Sequence, residues 1–274
     1  MSAADIATVE RPPEPPRGWT KARITGHALL ALWALLGLGL VWFLATSWNP
    51  ELIQKYAPGY WSGILVTLKL VAISCAVGAV LSIPIAYMRM SKNTILSAIA
   101  YAYVYFFRGT PLLAQTFLIY YGLGSFRPQL EMVGLWGFFR EAFNCAVFAF
   151  ALNTAAYQAE ILRGAIESVP RGQWEGAASL GLHKLQTLRQ IILPQALIVA
   201  LRPYGNEVIL MIKGSAIVAI ITVYDLMGIT RLTYSRTFDF QAYIWAAIFY
   251  LIMVEVLRHA IEWIEQRITR HLRR

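Results

Sequence analysis

An all-α bundle of membrane-spanning helices is the fold the sequence predicts, and three observations predict it. Hydrophobic residues make up 58% of the 274 residues, charged residues only 14%, and mean hydropathy is +0.53. Soluble domains average about 45–50% apolar and about 25% charged. The apolar residues are gathered into runs of some twenty residues or more, long enough to cross ~30 Å of hydrocarbon. The basic residues fall mostly on alternate connections between those runs. This composition excludes a disordered chain, which could not keep so much apolar surface in water. A net charge of +9 suggests nucleic acid in a soluble protein, but in a membrane protein it reports topology. Cys75 and Cys145 both lie in apolar runs, so neither a disulfide framework nor a thiolate metal site is expected.

Residues 1–25 are polar, with Pro12, Pro13, Pro15 and Pro16, and read as a cytoplasmic tail. Residues 26–48 form a first span. A cleaved signal peptide ending at Ala45-Thr46-Ser47 is the rival, but the preceding polar region and the apolar run are both too long for one. A polar link, 49–59, leads to a second span, 60–88. The apolar stretch 94–124 is interrupted by Arg108-Gly109-Thr110-Pro111. Arginine at mid-bilayer costs from ~2.5 to more than 10 kcal/mol. The aromatic residues 94–107 are therefore placed near the cytoplasmic interface, with Thr110 capping a new helix that has Pro111 at its first position. A loop follows at 125–141, then a span at 142–162 and a polar insertion at 163–194. The run 195–228 is broken at Lys213-Gly214-Ser215, 229–239 is polar, and 240–257 is the last span.

With the N-terminus inside, sixteen basic residues fall on the cytoplasmic side. Five (Lys55, Arg127, Arg140, Arg231 and Arg236) fall outside. Six spans with both termini inside follow from that asymmetry.

The insertion carries the densest signal. Pro170 begins a new element, Trp174–Leu180 and Leu182–Leu193 are both compatible with short helices, and Gly181 separates them. Ala177, Ala178 and Gly181 would let a partner's backbone come close, and Glu175, Lys184 and Arg189 offer charges for docking. A plain solvated loop has the same composition; the spacing distinguishes them. Glu175-Gly176-Ala177, three residues, Gly181, nine residues, then Ile191-Ile192-Leu193-Pro194 resembles the coupling motif of bacterial ABC-importer permeases. Gly176 stands where that motif has alanine, at a helix cost of about 1 kcal/mol. Phe107-Arg108-Gly109-Thr110-Pro111-Leu112-Leu113, Asn153-Thr154-Ala155-Ala156-Tyr157 with Glu160, and Asn206-Glu207-Val208-Ile209-Leu210-Met211 are similar to runs of the polar amino-acid branch. Within it the likeness is to M-type subunits for histidine, lysine/arginine/ornithine or opines.

The resemblance spans residues 60–258 and implies a type I importer permease, with a five-span core plus one extra N-terminal span. It implies that Trp174, Glu175, Gly176, Ala177, Gly181, Ile191, Leu193 and Pro194 couple to an ATPase. It also implies ATP-binding subunits, a second permease chain (a paralogue rather than an identical copy), a periplasmic solute-binding protein and a bacterial inner-membrane location. The chain itself has no G-x-x-x-x-G-K-[ST] loop. It is expected to be no enzyme and to carry no cofactor, with ATP and magnesium held by the partner.

Ionisable groups inside spans are the candidates for the solute path: Lys69, Glu160, Glu207, Lys213, Asp225 and Glu255, with Asn153, Thr154, Gln158 and Asn206 as neutral partners. Asn153, Glu160 and Glu207 are expected nearest the solute. An acid would serve a basic side chain, and helix starts at Thr110 or Ser215 would serve a carboxylate. Structural pairings compete: Glu160 with Arg163, Glu255 with Arg258, and Glu207 with Lys213. After the last span, residues 259–274 form a basic C-terminal helix. Leu257, Ile261, Ile264 and Ile268 share its apolar face, suited to an anionic membrane surface. An ion-coupled carrier would favour inverted repeats, none of which is visible. A non-transporting scaffold would have no use for the coupling spacing.

Overall fold

A computed structural model describes residues 19–272 apart from 47 and 49, so most of the proline-rich tail lies outside the described residues. No strand occurs among them. Residues up to Glu51 form one compact unit and those from Leu52 a second.

In the first unit, helix α1 (Lys21–Thr46) buries no residue and presents Trp33, Trp42 and a series of leucines all round. A helix that is apolar on every side belongs in lipid. The second unit begins a helix sooner than the sequence suggests. Of the residues read as a polar link, 50–59 are helical, because α2 runs unbroken over Pro50–Arg89. Pro58 and Pro84 remove only their own N–H donors from it.

Among the described residues five helices are long and apolar enough to cross a membrane: α1, α2, α7 (Ala142–Glu167), the segment Lys184–Ile221 and α12 (Gln241–Ile268). The sixth expected span is two shorter pieces, α3 (Thr94–Gly109) and α4 (Leu112–Phe117), the latter prolonged by a wide π-type turn to Gly122. Asn93 starts α3 by accepting from the N–H groups of Ile95 and Leu96. One correction concerns the join. Arg108 is fourteen residues, about 21 Å, into α3, one residue before that helix ends. Thr110 caps no helix: it is extended, its hydroxyl donates to Phe106 O at 2.7 Å, and Pro111 precedes the first helical residue.

The loop 123–141 contains two short helices, α5 (Arg127–Met132) and α6 (Trp136–Phe139). The insertion contains α8 (Arg171–Ser179) and α9 (Lys184–Thr187). A wide turn at Leu188–Ile192 joins α9 to α10 (Leu193–Gly214), and a tight 3₁₀ turn continues to Ile221. The polar stretch 229–239 is not a loop. Leu226–Thr237 is helix α11, capped by Asp225, which accepts from the Gly228 N–H at 2.8 Å. The C-terminal residues continue α12 without a break to Ile268; at 28 residues, about 42 Å, it outruns the hydrocarbon thickness.

Helix α7 is the axis of the second unit. Ala146, Ala149, Ala155, Ala156 and Ala159 are fully buried on it. Small side chains let helices approach closely where lipid supplies no hydrophobic drive. At Gly78 of α2 a Cβ would fall 2.4 Å from Thr154 Cγ2 and 3.2 Å from Ala155 N. At Gly205 of α10 a Cβ would fall 2.7 Å from Ile261 Cγ2 of α12. Ile261, read from sequence as part of a lipid-facing stripe, therefore packs on α10. Long-range hydrogen bonds lock three further crossings: Tyr103 Oη of α3 donates to Leu152 O of α7 (2.6 Å), Tyr60 Oη of α2 to Ala242 O of α12 (2.9 Å), and the Leu226 N–H of α11 to Thr67 Oγ1 of α2 (3.2 Å).

Candidate functional site

Two features carry chemistry: the knob of the insertion and a polar seam through the middle of the helix bundle.

The knob is shaped by its glycine. α8 ends at Ser179, and Gly181 follows in the left-handed region at φ +72°. The N–H of Gly181 donates to Ala178 O and that of Leu182 to Ala177 O, both at 3.0 Å. This is the Schellman closure, which an L-residue can adopt at position 181 only with strain. Two residues on, His183 caps α9. Its ring nitrogen accepts from Leu185 N, and Gln186 Oε1 accepts from His183 N. The chain thus reverses in four residues. Trp174 and Ala177 turn inward, with Trp174 packed against a buried cluster of Leu162, Ile166 and Ile192. Glu175, Gly176, Leu180 (79% exposed) and Gly181 stay outside, and Ile191, Leu193 and Pro194 lead into α10. No atom lies within 4 Å of a Cβ added at Gly176. Gly176→Ala is accordingly expected to stabilise α8, by up to about 1 kcal/mol in thermal unfolding, with transport unchanged.

The seam is built around the α3–α4 break. A broken helix in a membrane must find partners for its freed carbonyls. Gln115 Nε2 donates to Phe107 O (2.9 Å), Thr110 O (3.1 Å) and Thr110 Oγ1 (2.7 Å). Asn153 Nδ2 donates to Phe107 O (2.9 Å) and Gln115 Oε1 (3.0 Å). Asn153 therefore holds the break shut. At the next position, about 100° round α7, Thr154 Oγ1 donates to Glu207 Oε1 at 2.9 Å and accepts from Gln158 Nε2 at 3.0 Å. Glu207 is 6% exposed, so Asn153, Thr154 and Glu207 form one buried group linking α3, α4, α7 and α10. The guanidinium of Arg108 lies 5.1 Å from the centroid of Tyr157, and its charge acts on Glu207.

Glu160 stands apart from that group. Arg89 Nε lies 2.9 Å from one carboxylate oxygen and Arg163 Nη2 2.8 Å from the other, while Arg163 Nη1 also reaches Glu167 at 2.6 Å. The expected pairing with Arg163 is present, and Arg89 from α2 joins it. The carboxylate side chain is only 14% exposed, so its loss would leave two half-desolvated cations facing each other. Glu160→Gln is expected to destabilise by about 1–3 kcal/mol. A melting temperature unchanged from wild type would contradict this.

The other candidates separate cleanly. Glu255 pairs with Arg258, as expected. Glu207 does not pair with Lys213; six residues apart, they point about 120° from each other around α10. Asp225 is outside the spans, as the cap of α11, with Tyr250 Oη donating to it at 3.4 Å. Lys69 Nζ lies 5.4 Å from the Phe143 ring, level with the N-terminal end of α7. Ser215 is not a free helix start, since α10 passes straight into the 3₁₀ turn and Ser215 Oγ donates to Ile212 O. Sequence reasoning did not single out Gln115 or place Arg108 in the seam. The signal for Gln115 was a lone amide in an apolar run, five residues after the break it closes.

Comparison with known proteins places this architecture. Residues 78–274 match the family described as binding-protein-dependent transport system inner membrane component. The nopaline transport system permease protein NocM of Agrobacterium fabrum is 43% identical over 224 residues, covering 81% of this chain and 93% of that protein. The histidine/lysine/arginine/ornithine transport system permease protein HisM of Escherichia coli is 39% identical over 228 residues, covering 82% and 94%. Among solved structures, an amino acid ABC transporter superposes with a TM-score of 0.72 at 36% identity, over 81% of this chain and 99% of that one. The MetNI methionine ABC transporter shares the fold, with a TM-score of 0.67 at 18% identity over 81% of this chain and 100% of that one. A second unit with four long apolar helices, a broken α3–α4 pair and a capped knob between α7 and α10, matched over most of its length, is the permease of an ABC importer: the chain belongs to the binding-protein-dependent transport system inner membrane component family.

Proposed function

We propose that this chain is one of two permease subunits of an ATP-driven importer for polar, basic amino acids or opines. Its pairing is with a paralogous permease rather than with a second copy of itself. Two ATP-binding subunits hold ATP and magnesium on the cytoplasmic side, and a periplasmic binding protein delivers the solute. The observation that carries the reading is the knob. Its exposed Glu175, Gly176, Leu180 and Gly181 project from a short helix whose inner face is fixed to the bundle by Trp174 and Ala177. A push on the knob therefore reaches α7 and α10 as a rigid displacement.

Both termini are cytoplasmic in this arrangement, which sets the knob and the Arg89–Glu160–Arg163 network on the ATPase side. ATP binding draws the two ATPases together, the segment 174–194 follows, and the bundle opens outward. Hydrolysis reverses the swing. The nucleotide shifts a two-state equilibrium by binding one state better than the other. Solute passes the groove between α7 and α10 bordered by Asn153 and Glu207, and leaves past Glu160. The extra span α1 faces lipid.

The test is co-expression with and without the ATP-binding subunits, measuring co-purification and solute uptake. Uptake and co-purification that both require the ATPase support the proposal. Uptake that persists without any ATPase overturns it in favour of an ion-coupled carrier.

A further inference from the structure

Two helix joins of the bundle carry a proline, and at each a glutamine amide closes the gap. At the α3–α4 break Pro111 is followed by Gln115, whose amide donates to the carbonyls of Phe107 and Thr110. The second join is where the knob meets α10. Pro194 has no N–H, so the carbonyl four residues before it, that of Gln190, loses its helical donor. The chain answers with the wide turn Leu188–Ile192, across which the Leu193 N–H reaches back five residues to Leu188 O. Gln195 Nε2 then donates to Ile191 O at 2.8 Å, bridging the first turn of α10 and the end of the wide turn.

The wide turn sets a rotation. Thr187, Ile192, Ala196 and Ala200 are all buried. The last three are four residues apart, on one face of a plain α-helix. Thr187 is five residues before Ile192, and in a plain α-helix residues five apart point about 140° from each other. A turn with more residues to the circuit brings Thr187 back toward the buried side. Ile192, Ala196 and Ala200 belong to the cluster that holds Leu162 and Ile166 of α7, against which Trp174 of the knob packs. The angle of α9 around the axis of α10 therefore depends on the turn staying wide.

We propose that Gln195 is a positioning residue for the transport stroke: its amide pins the wide turn, so that knob and α10 move as one body. The proposal rests on the importer reading above and adds the joint through which the push must pass. Without that amide, a turn beside a proline that donates nothing slips between wide and plain forms. α9 then twists while α10 stays still, and ATP is hydrolysed without solute moving.

The assembled importer, with its binding protein and ATP-binding subunits in sealed vesicles, carries the test. Uptake and ATP hydrolysis are measured side by side, with arginine and octopine as probes. Gln195→Glu keeps the shape and replaces the donor by an acceptor, whereas Gln195→Lys changes the shape and keeps a donor within reach of Ile191 O. Gln195→Glu is expected to lower solute moved per ATP hydrolysed at least fivefold, with hydrolysis at half the wild-type rate or more and all subunits still co-purifying. Gln195→Lys is expected to hold that ratio within twofold of wild type. A ratio unchanged in Gln195→Glu overturns the proposal, as does a Gln195→Lys variant equally defective. Parallel loss of uptake and hydrolysis, or lost assembly, also overturns it, because Gln195 would then serve folding alone. A wild-type importer that moves neither probe, or moves them without ATP, fails the importer reading itself and this proposal with it.

Discussion

Gly78→Ala is expected to unseat α2 from α7 and disable transport, although it adds one methyl group. That methyl would lie 2.4 Å from Thr154 Cγ2 and 3.2 Å from the backbone nitrogen of Ala155. Thr154 can escape only by rotating, and rotation takes its hydroxyl from Glu207, which is buried and has Thr154 as its hydrogen-bond donor at 2.9 Å. Overpacking of this kind costs about 1–3 kcal/mol, and a weakened bond to a buried carboxylate adds a similar amount. A fall in melting temperature of the purified complex, with uptake reduced at least tenfold, is the expected result. The rescue variant is specific: Gly78→Ala with Thr154→Ser keeps the hydroxyl and removes the clashing Cγ2. It should recover more than half of the lost stability. Equal instability in the single and double variants would place the clash at Ala155 instead and remove Thr154 from the argument.

The second large effect is expected at the knob. Gly181→Val puts a β-branched residue at φ +72°, where even alanine carries about 1–2 kcal/mol of strain and valine more. The Schellman closure of α8 would open, and Leu180 and Glu175 would leave their positions. The bundle itself should be unharmed, because nothing lies within 4 Å of a Cβ at this glycine. The variant is therefore expected to insert and pair with the second permease normally. It should lose co-purification with the ATPase, or lose ATP-driven uptake while the ATPase turns over unproductively. Wild-type uptake in Gly181→Val would show that the geometry of this turn does not transmit the stroke.

The sequence revealed what is local. The spacing from Glu175 to Pro194 placed the knob, its helices and its glycine turn to within a few residues, because capping and left-handed turns are encoded over four or five positions. The long apolar runs located the spans for the same reason. Helix α11 escaped notice because its residues are polar and its start depends on Asp225, whose place in the apolar run 195–228 suggested a pore acid rather than a cap. The helical start of α2 at Pro50 was hidden by a polar, proline-containing stretch that resembles a loop.

The seam was only partly legible. Asn153 and Glu207 were recognisable as polar groups in apolar helices, but their partners are 38 to 53 positions away in the chain. Arg89 reaches Glu160 across 71 positions. Arg108 was assigned to the interface on the cost of a bare charge in lipid; its partner in the structure, the Tyr157 ring, lies 49 positions along the chain and could not be read from local sequence.

The central claim is that movement of the knob, driven by ATP, opens and closes a solute path through this chain. Purified complex in sealed vesicles, with binding protein and solute outside and ATP trapped inside, measures it directly. The account predicts solute accumulation that needs both ATP and the ATPase subunits and is lost in Gly181→Val. Accumulation driven by a proton or sodium gradient in vesicles without ATP would contradict it.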